Sequence, residues 1–544
     1  MSFLKYIRII VALALFLPIT LFFVDFLGWF PLRMHEILHY QVIPAALRAN
    51  VAILLILLVM TLLLGRIYCS TLCPLGVLQD FFFRMSKPFL KDKNKSRRKK
   101  KAKLEEYQQG GFLSRLRIYL LKRNFYAMPN NWLRYSFLAI SIIGLVAAGT
   151  GAALALDILD PYSNYGRIAS NLFRPLTILI NNEIAGVLNG MGNYSVFKVK
   201  ITTIEWITFI FSSVVLFIVF VLSFTRGRLY CNTICPVGSF LGILSRFSFF
   251  KIRFKEESCT SCGLCEFKCK SQCINSETKV VDNDRCVACF DCLETCKHSG
   301  IAFTFDWPLS KSATVQTEDA NQGRRAFLTT TGTLAVAAAS AQHIKLKSKA
   351  GASGDTKYYS KKPIMPPGAI NLDRFLDKCT ACQLCVTKCP SHVLKPALTQ
   401  YGWDGIMHPM MDFTYGFCNY DCTDCCSVCP NDALIELTKE DKRVTQVGIV
   451  QLELHRCVVV TDETSCGACS EHCPTQAVHM IEYKDGLTIP SIKPEICIGC
   501  GGCESICPVR PATAIFVNGN AVQVLAEKPK EEEVVIEKAD DFGF

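Results

Sequence analysis

The run Cys259-x2-Cys262-x2-Cys265-x3-Cys269 places four thiols within eleven residues, and this spacing restricts its segment to very few folds. Neighbours this close would each need a distant disulfide partner, whereas thiolates so spaced wrap an iron–sulfur cluster within one short loop. The pattern recurs at Cys286, Cys289, Cys292 and Cys296, and again at Cys379, Cys382, Cys385 and Cys389-Pro390. Three further runs follow: Cys418, Cys422, Cys425 and Cys429-Pro430; Cys457, Cys466, Cys469 and Cys473-Pro474; Cys497, Cys500, Cys503 and Cys507-Pro508. Cys273 and Cys426 are left over. With 30 cysteines in 544 residues, the chain is too long for a disulfide-stapled mini-protein. Zinc ribbons join two separated Cys-x2-Cys pairs instead of crowding four ligands into one run.

In such modules three thiolates hold one cluster, and the fourth, usually before proline, reaches the neighbouring one. Cys259, Cys262, Cys265 and Cys296 are then one ligand set, and Cys286, Cys289, Cys292 and Cys269 its partner. Lys270 and Lys297 stand where prolines are expected. The six runs imply six [4Fe–4S] clusters, two in the first pair of runs and four in the later ones.

Four apolar stretches approach the ~20 residues that a spanning helix needs: Ile7–Leu27, Pro44–Leu64, Tyr135–Leu156 and Ile201–Phe224. The segment Arg84–Arg134 carries 16 Lys and Arg, including "SRRKKKAK" at Ser96–Lys103, against four in Asp157–Lys200. By the positive-inside rule the first segment is cytoplasmic and the second external. The formal charge of +12 is therefore read as a topology signal beside lipid headgroups, not as a nucleic-acid surface. Two near-copies, "GRIYCSTLCPLG" (Gly65–Gly76) and "GRLYCNTICPVG" (Gly227–Gly238), follow the second and fourth stretches. Residues four apart are neighbours on a helical turn, so Cys69, Cys73, Cys231 and Cys235 can form one four-thiolate set across a pseudo-two-fold axis. A further cluster, another metal, reversible dithiol chemistry and plain helix termination are the readings open to it.

Residues 1–250 read as a membrane domain and 251–305 as a cytoplasmic two-cluster domain. Residues 306–370 form a linker containing "GRRAFLTTTGTLAVAAASA" (Gly323–Ala341), which resembles a twin-arginine export signal with an Ala-x-Ala ending. Residues 371–526 read as an exported four-cluster domain with a β-hairpin at Ala477–Ile492 turning on Asp-Gly, and 527–544 as a charged, disordered tail. The expected fold class is a membrane α-helical four-helix unit plus α+β ferredoxin-like cluster domains.

Residues 1–300 resemble the NapH-type membrane ferredoxins, marked by four spans, two Cys-x3-Cys-Pro motifs and a two-cluster domain. Residues 320–520 resemble a NapG-type exported ferredoxin, so the chain reads as a fusion of the two. The resemblance implies quinol dehydrogenation at a bacterial inner membrane. Electrons would pass to a periplasmic reductase, a c-type cytochrome or a maturation partner. It leaves the pairing of the later runs open, nested or consecutive. An accessory factor that donates electrons for metalloenzyme maturation is the alternative reading.

"HEILH" (His35–His39) matches His-Glu-x-x-His, but no third zinc ligand is evident, and an interfacial or quinone-site role is preferred. His35 and His39 are the only histidines before residue 240, so bis-histidine haem wiring across a bilayer is not expected. A diffusing quinol is then the expected bridge between the two sides. Asp157 and Asp160 are candidate acceptors of its protons. No Walker loop or dinucleotide fingerprint occurs in suitable context, which argues against direct use of ATP or NADH.

Overall fold

The computed structural model describes residues 2–89, 126–127, 130–146, 153–199, 205–255, 257–296, 298–306 and 362–528. The basic run Ser96–Lys103, the twin-arginine-like segment, Lys297 and the tail from residue 529 lie outside the described residues.

Among the described residues two helices, not four, are long and apolar enough to cross a bilayer. They are α1 (Ser2–Val24) and α7 (Trp206–Arg226). Both are apolar nearly all round, and Ile10, Leu13, Leu17, Ile210, Val214 and Phe217 are exposed. The second expected span fails because Arg48-Ala49-Asn50 interrupts it. Ala49 takes a left-handed φ of 56°, and the Asn50 side chain caps α2 by accepting from Ile53 N, leaving only Val51–Leu64. The third lies partly outside the described residues, which show α4 (Asn131–Val146) and a short helix at Ala153–Leu159. Helices α3 (Pro74–Phe89) and α8 (Pro236–Ser245) start at the prolines of the two repeated motifs, proline being well suited to a first helical position. The external segment of the sequence reading is largely helical. In it α5 (Pro161–Ile168) passes through a π-helical turn at Ala169–Phe173 into α6 (Arg174–Gly190).

The first ferredoxin part is framed by β1 (Phe250–Phe254) and β4 (Ile301–Phe305), antiparallel with Phe250 opposite Phe305. The hairpin β2 (Ile274–Asn275) and β3 (Val280–Val281) lies between its two cysteine runs. In the second part β5 (Leu394–Pro396) pairs with β6 (Pro409–Met411). The long β10 (Ile515–Leu525) returns to β7 (Thr445–Leu452). The hairpin foreseen at Ala477–Ile492 forms as β8 (Val478–Glu482) and β9 (Thr488–Ile492), with Asp485 and Gly486 both at positive φ.

The two ferredoxin parts dock at opposite ends of α1. Near its start Lys5 pairs with Glu294 and with Asp291 at 3.1 Å. Just past its end Asp25 pairs with Lys388 at 3.0 Å. One apolar core runs through the helical half and takes in Cys289 on one side and Cys382, Leu384 and Val428 on the other.

Candidate functional site

Local backbone geometry shapes the cysteine runs for a cluster. In the four runs with regular x2-x2 spacing, the residue before the second cysteine is left-handed: Ser261, Ala288, Ala381 and Gly499, at φ between 47° and 72°. The residue after it is left-handed too, at Gly263, Phe290, Gln383 and Gly501. Positive φ is uncommon outside glycine; its repetition curls each loop so that backbone N–H groups turn inward. Ala381 N donates to Cys379 Sγ at 3.4 Å, Gly300 N to Cys296 Sγ at 3.2 Å and Leu434 N to Cys429 Sγ at 3.4 Å.

The structure brings the first part's cysteines together in two crossed sets. Cys259, Cys262, Cys265 and Cys296 line one pocket. Cys292 lies within electrostatic reach of Cys289, Cys286 and Cys269. In the second part the pairing is consecutive. Cys379, Cys382, Cys385 and Cys429 line one pocket, and Cys418 faces Cys422, Cys425 and Cys389. Cys457 faces Cys466 and Cys507, with Cys469 beside them, and Cys473 stands with Cys497, Cys500 and Cys503. Cys418 N donates to Cys500 O at 2.9 Å, which joins the two modules through their cluster loops.

The leftover cysteines support these sets. Cys273 is fully buried with its sulfur 3.4 Å from Cys269 Sγ, and this hydrogen bond brings the Cys269 thiol down to about 7. Cys426 donates to Pro367 O at 2.9 Å.

The repeated motifs converge. Cys69, Cys73, Cys231 and Cys235 are each 3–4% exposed, and Cys235 lies within electrostatic reach of the other three. Two buried arginines tie the halves crosswise. Arg66 Nη2 approaches Cys69 Sγ at 3.9 Å and donates to Cys231 O at 3.1 Å. Arg228 Nη1 mirrors this, 3.8 Å from Cys231 Sγ and 2.7 Å from Cys69 O. Gly238 N donates to Cys235 Sγ at 3.3 Å. Both motif-closing glycines are sterically required. A Cβ on Gly76 would sit 2.2 Å from Cys69 O, and one on Gly238 2.2 Å from Cys231 O.

The four-cysteine set is also wired to both ferredoxin parts. Asp80 accepts from Arg228 Nε at 2.9 Å, Arg8 Nη1 at 3.1 Å and Lys270 Nζ at 3.2 Å, and Lys270 continues to Asp291 at 3.0 Å. Lys270, in the place of the usual proline, makes this bridge. On the other side Tyr230 OH lies 3.5 Å from Asn164 Nδ2 on α5. The Ser163 hydroxyl is 2.7 Å from Thr380 Oγ1, beside Cys379. Gly166 lets α5 press on the cluster loop, since a Cβ there would lie 2.6 Å from Cys382 O.

Asp157 and Asp160 are 2% and 0% exposed. Asp160 caps α5 by accepting from Tyr162 N and Ser163 N at 3.1 and 3.0 Å. Asp157 Oδ2 faces His408 Nε2 at 4.0 Å. Burial holds His408 down at about 4, so its imidazole is neutral at pH 7. His35 and His39 lie in a 3₁₀ turn, Leu32–Tyr40. Their rings nevertheless meet edge to face with centroids 5.2 Å apart, and His39 Nδ1 is engaged by Arg48.

The cysteine sets fit clusters better than single ions. Tetrahedral Zn–S bonds of about 2.3 Å hold sulfurs roughly 3.8 Å apart. Among the described residues no three His, Cys, Asp or Glu side chains are grouped for one ion.

Comparisons with known proteins agree with this chemistry. A 4Fe-4S binding domain matches residues 49–101 and 208–255, the two copies of the repeated motif. 4Fe-4S dicluster domains match residues 282–393 and 464–510. The chain is 30% identical over 154 residues to the methylamine utilization ferredoxin-type protein MauM of Methylorubrum extorquens, 27% of this chain and 68% of that protein. It is 26% identical over 157 residues to the ferredoxin-type protein NapF of Escherichia coli, 29% of this chain and 87% of that protein. It is 40% identical over 84 residues to the uncharacterized protein MJ0749 of Methanocaldococcus jannaschii, spanning 15% of this chain and only 33% of that protein. No solved structure matches.

Proposed function

This chain belongs to the ferredoxin-type iron–sulfur proteins, and we propose that it is a membrane-seated quinol dehydrogenase that carries electrons between quinol and an external acceptor. The observation that carries this reading is the order of the cysteine sets. Two crossed sets sit at the start of α1, four consecutive ones lie beyond its end, and the Cys69, Cys73, Cys231 and Cys235 set stands between them. When bound, [4Fe–4S] clusters supply one-electron acceptors and donors at these sites, as a two-electron quinol requires.

The chain's own residues set the conditions. Arg66 and Arg228 place positive charge and N–H donors against the central thiolates, which favours a bound, charged cluster there. Burial of all four cysteines excludes water. Asp80 fixes both the Arg228 fork and Lys270, which ties the central set to the first ferredoxin part. This placement gives a protein-held alternative to quinol as the bridge between sides and leaves quinol the role of donor.

The exposed apolar faces of α1 and α7 support insertion in a bilayer. The basic segment Arg84–Arg134 supports a cytoplasmic side for the first ferredoxin part, with the second facing a periplasmic reductase or c-type cytochrome. The test is anaerobic purification with iron and sulfide analysis, then quinol addition followed by EPR. The expected content is about 28 iron and 28 sulfide per chain, four for each of seven four-cysteine sets. Reduced-cluster signals should appear on quinol addition. Colourless protein without sulfide would overturn the reading.

A further inference from the structure

A cavity of about 110 Å³ lies where the π-helical turn Ala169–Phe173 and the start of α6 meet the first residues of α7 and the loop of Cys382, Cys385 and Cys389. Gln383, in its wall, is 2% exposed. Its Oε1 accepts from Asn171 Nδ2 at 2.7 Å, while its Nε2 has no partner among the described residues. Ser170 Oγ and Arg174 Nε line the same cavity and also have none. A buried donor without an acceptor costs about 1–3 kcal/mol. Three around one space call for a ligand that brings acceptor oxygens. π-helical turns are themselves frequent at functional sites.

The remaining wall defines that ligand further. Pro175, Ile178, Val386 and Leu394 make much of it apolar. Its charge is balanced, because Lys395 is taken by Asp412 at 2.7 Å and by Glu205 at 3.9 Å, with Arg174 the other cation in the lining. A neutral ligand suits such a site, whereas a phosphate would meet Glu205. Trp206, next to Glu205, begins α7, so the cavity is level with the end of a helix long enough to span a bilayer. The outer face of α6 exposes Leu176, Leu179 and Ile180, an apolar approach from lipid.

We propose that this cavity binds the head group of a membrane quinone or quinol, its oxygens taking hydrogen bonds from Gln383, Arg174 and Ser170. The proposal rests on the quinol reading above and gives it a location. Gln383, Val386 and Thr387 belong to the cysteine loop itself, so the bound ring would lie directly against a redox loop. Glu205 and His392, also in the lining, supply acceptors for the hydroxyl protons of the reduced form. Asp157 and Asp160 do not line this space.

The full chain, purified anaerobically, would be photolabelled with an azido-benzoquinone and mapped by mass spectrometry. Label is expected on segments 169–178 and 383–396, displaced by excess unlabelled quinone. Arg174→Leu and Ser170→Ala should each cut labelling about tenfold. The EPR signal of the dithionite-reduced protein should be unchanged in both, which would show that the clusters remain assembled. If quinol still reduces the protein while label falls elsewhere and both variants are silent, the site is wrong and the quinol reading stands. If the wild type neither labels nor accepts electrons from quinol, the quinol reading itself is lost. Displacement by phosphatidylglycerol vesicles but not by quinone would make this a lipid-headgroup site and overturn the proposal.

Discussion

Arg228 reaches back 159 residues to donate a 2.7 Å hydrogen bond to the carbonyl oxygen of Cys69, in the other copy of the repeated motif. Arg66 returns the contact to Cys231 at 3.1 Å. Each half is thus clamped by a guanidinium from its duplicate.

Arg228→Gln should therefore damage more than one motif. The guanidinium is 1% exposed, and its loss strips Asp80 of a partner inside the protein. Breaking one side of a buried ion pair costs about 3–5 kcal/mol. A lower melting temperature is expected, with loss of about four irons per chain and retention of the ferredoxin cysteine sets. Iron analysis alongside thermal unfolding checks both, and Cys69→Ser should give the iron loss with a smaller thermal effect.

Lys270→Pro restores the usual ferredoxin residue and should still be harmful. Lys270 joins Asp80 at 3.2 Å and Asp291 at 3.0 Å while 1% exposed. Proline leaves two buried carboxylates short of a cation, at a cost of several kcal/mol. Faster proteolysis between the helical half and the first ferredoxin part would report the loss of docking.

At Gly166 the added methyl of Gly166→Ala would come 2.6 Å from Cys382 O and 3.0 Å from Phe23 Cζ. Overpacking of this kind costs about 1–3 kcal/mol. Weaker attachment of the second ferredoxin part is expected, seen as faster amide exchange in 378–385, with the β7–β10 sheet unchanged.

Acid should loosen the same region. The neutral state of His408 is held down to about 4 by burial, whereas an unfolded histidine titrates near ~6.5. Between those values the unfolded chain binds more protons than the folded one. The contribution is complete above pH 6.5 and is lost as pH falls toward 4. Acidification from pH 7 to 5 should remove about 2 kcal/mol. Melting temperature against pH would show this slope, and His408→Gln should flatten it.

The cysteine runs were legible because spacing alone says which thiols share a loop. Which loops share a module was not. Nested and consecutive schemes use identical spacings, and only the packing of the Cys429 and Cys507 segments against their neighbours decides between them. Four spans were expected because hydropathy averages over a window, and the three-residue break at Arg48–Asn50 is too short to lower the mean while a cap there is enough to end a helix. The docking residues were equally hidden. Lys270 and Asp80 are 190 positions apart, and Ser163 and Thr380 are 217 apart. Gln383 looked like one of the variable positions in a cysteine loop, and its unpaired amide nitrogen becomes visible only when α6 is laid beside it.

Helix α1 meets one ferredoxin part through Lys5 and the other just past its end at Asp25. At 1.5 Å per residue, the twenty steps between those anchors measure about 30 Å, the thickness of a hydrocarbon layer. The helix is therefore a spacer as well as an anchor: inserting one turn would push the ferredoxin parts roughly 5.4 Å apart without altering a single cysteine. Residue number in α1 should consequently tolerate change far less than residue identity does.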